Sequence, residues 1–149
     1  MTPRDADFAA RVRRGFAGQR FMAHIGAELL SVAPGAVDIA LPLRPELTQH
    51  HGYGHAGATW SIADTAAGFA AQTLMAADEG VLTVELKINL LAPARGSRLI
   101  ARGRVERAGR RLTVGRSDVV ALAGGGTETT VAVALGTFMT VAGLADAGP

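Results

Sequence analysis

The chain has 149 residues, 48% of them hydrophobic and 19% charged, with a formal net charge of +2 and no cysteine. That length suits one domain able to bury a real core, and the composition excludes disorder, fibres, disulfides, thiolate metal sites and a cysteine nucleophile. So small a net charge is weak support for nucleic-acid binding, and the lack of cysteine fits a reducing, cytoplasmic setting.

Residues 1–7 and 143–149 read as frayed ends. The first residues mix acids with bases and lack a continuous apolar run, so they do not form a signal peptide. Over residues 8–21, Phe8, Val12, Phe16 and Phe21 make roughly one helical stripe. This predicts a short amphipathic helix ending near Gly15 to Gly18. Residues 25–32 predict a strand, Pro34-Gly35 a turn, and residues 36–43 the second strand of a hairpin, with Val37, Ile39, Leu41 and Leu43 on one face. Residues 44–54 read as a loop.

Residues 58–77 are almost wholly small and apolar, with a single carboxylate, Asp64. A helix that is apolar nearly all round is buried on most sides. The low-charge run 52–77 is too rich in Ala, Gly, Ser and Thr for a membrane span, which needs roughly 20 strongly apolar residues. Residues 81–91 alternate strictly, with Leu82, Val84, Leu86, Ile88 and Leu90 on one face and Thr83, Glu85, Lys87 and Asn89 on the other. That is the clearest strand in the chain, and it sets Thr83 opposite the core residues. Strands over 97–108, 110–122 and 127–141 follow, separated by Ala108-Gly109 and the glycines at 124–126. The last alternates Val131, Val133 and Leu135 with Ala132, Ala134 and Gly136.

This order predicts an α+β protein: a curled antiparallel sheet wrapped around one long central helix, with a short N-terminal helix. Such a single layer leaves an edge and a back face to cover, so at least a homodimer is expected.

The residues around the central helix resemble a known family. The run Gln49-His50-His51-Gly52-Tyr53-Gly54-His55-Ala56-Gly57 is similar to a loop of the type N-x-x-G-x-x-H-G-G, and Ile62-Ala63-Asp64-Thr65-Ala66 supplies the acid that follows it. The strand 82–94, closing on Pro93-Ala94, and the turn Gly109-Arg110-Arg111-Leu112 extend the likeness over about residues 20–141. The chain resembles hotdog-fold acyl-CoA thioesterases of the PaaI-like branch. The resemblance implies one hotdog domain over residues 1–149, hydrolysis of an aryl- or medium-chain acyl-CoA, no cofactor beyond the CoA of the substrate, and assembly as a homodimer or a dimer of dimers. Two positions depart from the pattern: Gln49 stands for the family's asparagine, and Ala56 for the middle glycine of H-G-G.

Thioester hydrolysis needs a positioned water, a base or nucleophile, and donors for an oxyanion. Asp64 has Trp60, Ala67 and Gly68 as its helical neighbours, with no cation within a turn, so burial raises its pKa toward that of a useful base. It activates water or attacks the thioester directly; a purely structural acid held by loop N–H groups or His55 is the competing reading. The Ala56 and Gly57 N–H groups at the helix start are the candidate oxyanion donors, assisted by Gln49. Otherwise the glycines serve only a tight helix entry. His55 is expected to brace the loop. The resemblance implies that Thr83 lies near the attacking water; an ordinary exposed strand threonine is the alternative. His50, His51 and His55 match no standard metal spacing, and no metal site is expected.

Eight arginines fall between positions 95 and 116. Arg95, Arg110 and Arg111 are candidate contacts for CoA phosphates, against solvated strand-face cations. No Phe, Tyr or Trp interleaves with them, which disfavours single-stranded nucleic acid. A non-catalytic acyl-thioester binding protein remains the alternative function, and a hydratase or dehydratase a more remote one.

Overall fold

The computed structural model describes residues 1–144. The 145–149 part of the expected C-terminal tail lies outside them. Helix α1 (Phe8–Gly18) and helix α2 (Arg20–Ile25) precede a hairpin, β1 (Glu28–Ala33) and β2 (Ala36–Pro42). A 3-10 turn (Pro45–Leu47) leads to the long helix α3 (Ala56–Gln72). Four strands follow: β3 (Glu79–Leu90), β4 (Arg98–Ala108), β5 (Leu112–Leu122) and β6 (Glu128–Ala142). They form one antiparallel sheet in the order β1-β2-β4-β5-β6-β3, with α3 against one face, as the hotdog architecture requires.

Small residues let the helix sit directly on the sheet. A Cβ at Gly103 would lie 2.3 Å from the carbonyl carbon and oxygen of Ala66, so β4 and the α3 backbone touch there. Beside it, Gly115 leaves room for the ring of Phe138, which is fully buried. Val37, Ile39 and Leu41 of β2 and Ile62, Ala63 and Ala66 of α3 complete the core at 0% exposure, as the alternation of β2 predicts. The opposite face of the sheet carries paired charges: Arg104 meets Asp38 at 2.6 Å, Arg102 meets Glu128 at 2.6 Å and Arg116 meets Asp118 at 2.8 Å. These three arginines are strand-face cations with acidic partners.

Four expectations need correction. The N-terminal helix is two helices, broken at Gln19, whose extended backbone (ψ 97°) interrupts the helical path. Ile25 ends α2, because Gly26 takes a left-handed conformation (φ 76°) and caps the turn, so β1 begins three residues later than predicted. Residues 1–7 are docked rather than frayed: Arg4 donates to the Leu74 carbonyl at 3.2 Å and pairs with Glu79. With buried Arg11, which donates to the Ala76 carbonyl at 2.6 Å, it satisfies carbonyls beyond the C-terminal end of α3.

The fourth correction lies in β3. Its register with β6 slips between Thr83 and Glu85, so Val84 is an extra, bulged residue. A bulge exchanges the two faces of a strand. Val81 therefore packs on the core, and after the bulge Leu86 and Ile88 do, while Leu82 and Val84 are 49% and 56% exposed. Thr83 lies on the helix side, not opposite the core.

Candidate active site

Helix α3 starts two residues earlier than its apolar pattern suggests, because His55 caps it. The His55 Nδ1 accepts a hydrogen bond from the Gly57 N–H at 2.8 Å. That bond makes Nδ1 the acceptor, so the neutral ring carries its proton on Nε2. It also occupies the Gly57 N–H, one of the two expected oxyanion donors. The Ala56 N–H has no partner among the described residues and is exposed, at the positive end of the helix dipole. Of the two, Ala56 is the one whose N–H is open to an acceptor.

The loop before the helix is closed on itself. Gln49 N–H bonds the Tyr53 carbonyl at 2.8 Å, the Gly52 N–H returns to the Gln49 carbonyl at 2.8 Å, and the Gln49 Oε1 accepts from the His51 N–H. The acceptor of the Gln49 amide is thereby used within the loop, which leaves its NH2 to donate. Gln49, Tyr53, Ala56 and Thr59 line a cavity of about 390 Å³ with Leu90, Leu91 and Pro93. The His50 and His51 rings lie 3.9 Å apart between centroids, tilted by 45°. Among the described residues, no group of three or more His, Asp or Glu gathers as a metal site would require.

Asp64 sits two turns further along α3, half-buried. The Thr83 hydroxyl donates to its Oδ1 at 2.8 Å. Burial raises the Asp64 pKa above the ordinary carboxylate value, and the Thr83 hydrogen bond offsets part of that rise by favouring the charged form. No salt bridge neutralises the carboxylate among the described residues. Asp64 and Thr83 line a small cavity of about 100 Å³ with Gln19, Thr65, Gly68, Phe69 and Val81. Gln19 went unnoticed in the sequence because α1 and α2 carry no motif; only the structure brings their junction to the acid.

Asp64 and Ala56 do not share a cavity. Eight residues of helix separate them, about 12 Å at 1.5 Å per residue. One carbonyl within a single chain therefore cannot meet both. Beside Asp64 the sheet ends in β3, an unpaired edge with exposed Leu82 and Val84, and Trp60 of α3 is 38% exposed near the same edge, its Nε1 donating to the Leu86 carbonyl at 3.4 Å.

The three candidate phosphate-binding arginines also separate. Arg95 lies over the Tyr53 ring at 4.5 Å and donates to its hydroxyl, and with Arg44 it lines a cavity that shares Tyr53 and Ala94 with that of Ala56. Arg110 and Arg111 belong to the β4–β5 turn; Arg110 lines a different cavity, with Ala71, Leu74 and Met75 at the far end of α3. No helix among the described residues is long and apolar enough to cross a membrane.

The family model of the thioesterase superfamily matches residues 51–128, the stretch holding the cap, the acid and the bulged strand. A thioesterase family protein from Silicibacter pomeroyi is 40% identical over 91% of this chain and 99% of its own, with a TM-score of 0.89. A conserved protein from Pseudomonas aeruginosa is 28% identical over 83% of this chain and 94% of its own (TM-score 0.74). A mutant of the phenylacetic acid degradation protein PaaI from Thermus thermophilus is 26% identical over 80% and 96% (TM-score 0.70). No curated protein matches the chain. The chain therefore belongs to the thioesterase superfamily and is a thioester hydrolase of the PaaI-like type, built on the hotdog fold.

Proposed function

We propose that the protein hydrolyses an acyl-CoA thioester to the free acid and CoA, at a site assembled from two copies of the chain. The observation that carries this reading is the separation of Asp64 from Ala56: each holds half of what hydrolysis needs, about 12 Å apart along one helix. Pairing of two β3 edges would cover the exposed Leu82 and Val84 and bring the Asp64 of one copy toward the helix start of the other.

In this reading Asp64 acts as the general base. Thr83 holds Oδ1, leaving Oδ2 for water. Asp64 takes a proton from that water as its oxygen attacks the thioester carbon. The oxyanion forms against the other copy's Ala56 N–H, with the Gln49 amide assisting. The C–S bond then breaks, and the proton held by Asp64 passes to the departing thiolate. His55 fixes the loop and the helix start. Arg95, beside the Ala56 cavity, is the cation best positioned for a CoA phosphate. Arg110 and Arg111 lie toward the other end of a helix about 25 Å long.

The apolar lining of the 390 Å³ cavity, and the likeness to a phenylacetic acid degradation protein, favour an aryl or medium-chain acyl group. Release of CoA thiol from a panel of acyl-CoAs by wild type and Asp64→Asn tests the reading. Hydrolysis by wild type, reduced at least 100-fold in the variant, supports it. Binding without turnover would make the protein an acyl-thioester carrier instead.

A further inference from the structure

The N-terminal helices bring one polar side chain to the acid. Gln19 sits at the break between α1 and α2, half-buried, and lines the same cavity as Asp64. Its position is fixed from several directions. Val12 is fully buried, Phe16 packs on Phe69 with ring centroids 6.2 Å apart, and Gly15 lies so close that an added Cβ would meet the Phe69 ring at 3.2 Å. Arg11, one turn earlier, is anchored to the Ala76 carbonyl. The Gln19 side chain caps neither helix, and its amide has no hydrogen-bond partner among the described residues.

The rest of the cavity divides by chemistry. Asp64 and Thr83 are bonded to each other, Thr65 adds a hydroxyl from the next position on α3, and Gly68, Phe69 and Val81 form apolar walls. Its volume of about 100 Å³ is roughly the share of three waters in the liquid, room for a fragment of a few heavy atoms. A plain hydrocarbon filling that space would strip water from the Gln19 amide and return nothing. A buried amide left unpaired is costly, and a site built around such a group rejects ligands that cannot pair with it.

We propose that Gln19 is a specificity-determining residue, whose amide hydrogen-bonds an oxygen substituent on the acyl group held between it and Asp64. The inference rests on the thioesterase reading for the identity of the ligand. The favoured substrates are then acyl groups bearing a hydroxyl or keto oxygen a few atoms beyond the thioester carbonyl.

Binding measures this without turnover. The probes are the non-hydrolysable thioether analogues of hexanoyl-CoA and 3-hydroxyhexanoyl-CoA, with a methylene inserted between sulfur and carbonyl. Calorimetry gives their Kd for wild type and for Gln19→Leu, which keeps the size and removes the amide; thermal unfolding of both proteins reports whether the fold is kept. Wild type should prefer the hydroxylated analogue by roughly five- to tenfold, and Gln19→Leu should erase or reverse the preference at an unchanged Tm. The matching thioesters should show the same ratio in kcat/KM. A preference that survives in Gln19→Leu, or equal loss for both analogues, overturns the role of Gln19 and leaves the thioesterase reading intact. Wild type that neither binds these analogues nor hydrolyses any acyl-CoA overturns both. If Gln19→Leu unfolds, Gln19→Met is measured in its place against the same ratio.

Discussion

The Thr83 hydroxyl donates to the Asp64 carboxylate at 2.8 Å, a bond that joins the edge strand β3 to the central helix. It exists because the extra residue at Val84 resets the strand, letting Val81 and Thr83 face the helix ahead of the bulge and Leu86 and Ile88 after it. The bond acts on chemistry as well as on structure. Burial pushes the Asp64 pKa up, and the hydroxyl draws it partly back.

Replacing Thr83 with Ala removes the group that favours the charged carboxylate. The Asp64 pKa then rises further, and the acidic limb of the kcat/KM profile moves to higher pH. Thr83→Ser retains the hydroxyl and should keep the wild-type limb. Turnover in Thr83→Ala should fall roughly tenfold at neutral pH, as expected for one lost hydrogen bond to a charged group. A pH–rate profile of the three proteins checks this.

Asp64 also costs stability. Its folded pKa lies above the unfolded value, so between the two values the folded state holds more protons and stability falls as pH rises through that window. Asp64→Asn is neutral at every pH and can still accept from Thr83. It should therefore be more stable than wild type at pH 7, with the advantage shrinking as pH falls through that window and gone below the ordinary carboxylate range. Thermal unfolding of both proteins across pH 3–8 reads this directly, and an active-site acid replaced at a gain in stability is the signature of a functional group.

His55 anchors the helix start through the Gly57 N–H. His55→Ala should cost about 1 kcal/mol of stability, the usual value of a lost N-cap, whereas His55→Asn, itself a strong cap, should restore most of it. Urea denaturation checks the stability. Activity should follow the same order, since the cap sets the direction of the neighbouring Ala56 N–H.

The contact between Gly103 and Ala66 predicts a strong structural effect. A methyl group at Gly103 would meet the α3 backbone at 2.3 Å. Backbone cannot yield as a side-chain tip does, so Gly103→Ala should destabilise by about 1–3 kcal/mol, the usual range for an overfilled core. Denaturant unfolding measures it, and Gly124→Ala, with nothing within 4 Å of the added carbon, serves as the control.

Much of this was legible in the residues. The all-round apolar run around Asp64 predicts a buried helix, and α3 is that helix, with ten of its residues buried. The hairpin turn at Pro34-Gly35 and the core face of β2 follow from turn chemistry and alternation. What failed had a physical cause in each case. The strict alternation of residues 81–91 concealed a bulge, because Val84 is as apolar as its neighbours and a bulge depends on pairing with β6 rather than on composition. The start of α3 was missed because His55 is not among the usual capping residues. Arg95, Arg110 and Arg111 are near in sequence but separated in space, since β4 runs the length of the sheet between them. Gln19 was invisible because its position depends on how α1 packs on Phe69.

The central claim, that one site uses residues of two copies, can be tested with two inactive variants. Ala56→Pro deletes only the proposed oxyanion donor: Ala56 is the first helical residue, where proline is well tolerated, and His55 before it already has the extended backbone that a following proline favours. Alone it should fold normally and lose about 100- to 1000-fold in kcat, as should Asp64→Asn. Refolded together in equal amounts, the two should recover about a quarter of wild-type activity, because half of the dimers are mixed and one of their two sites holds both an intact Ala56 and an intact Asp64. A mixture no more active than the sum of its separate parts would contradict the shared site.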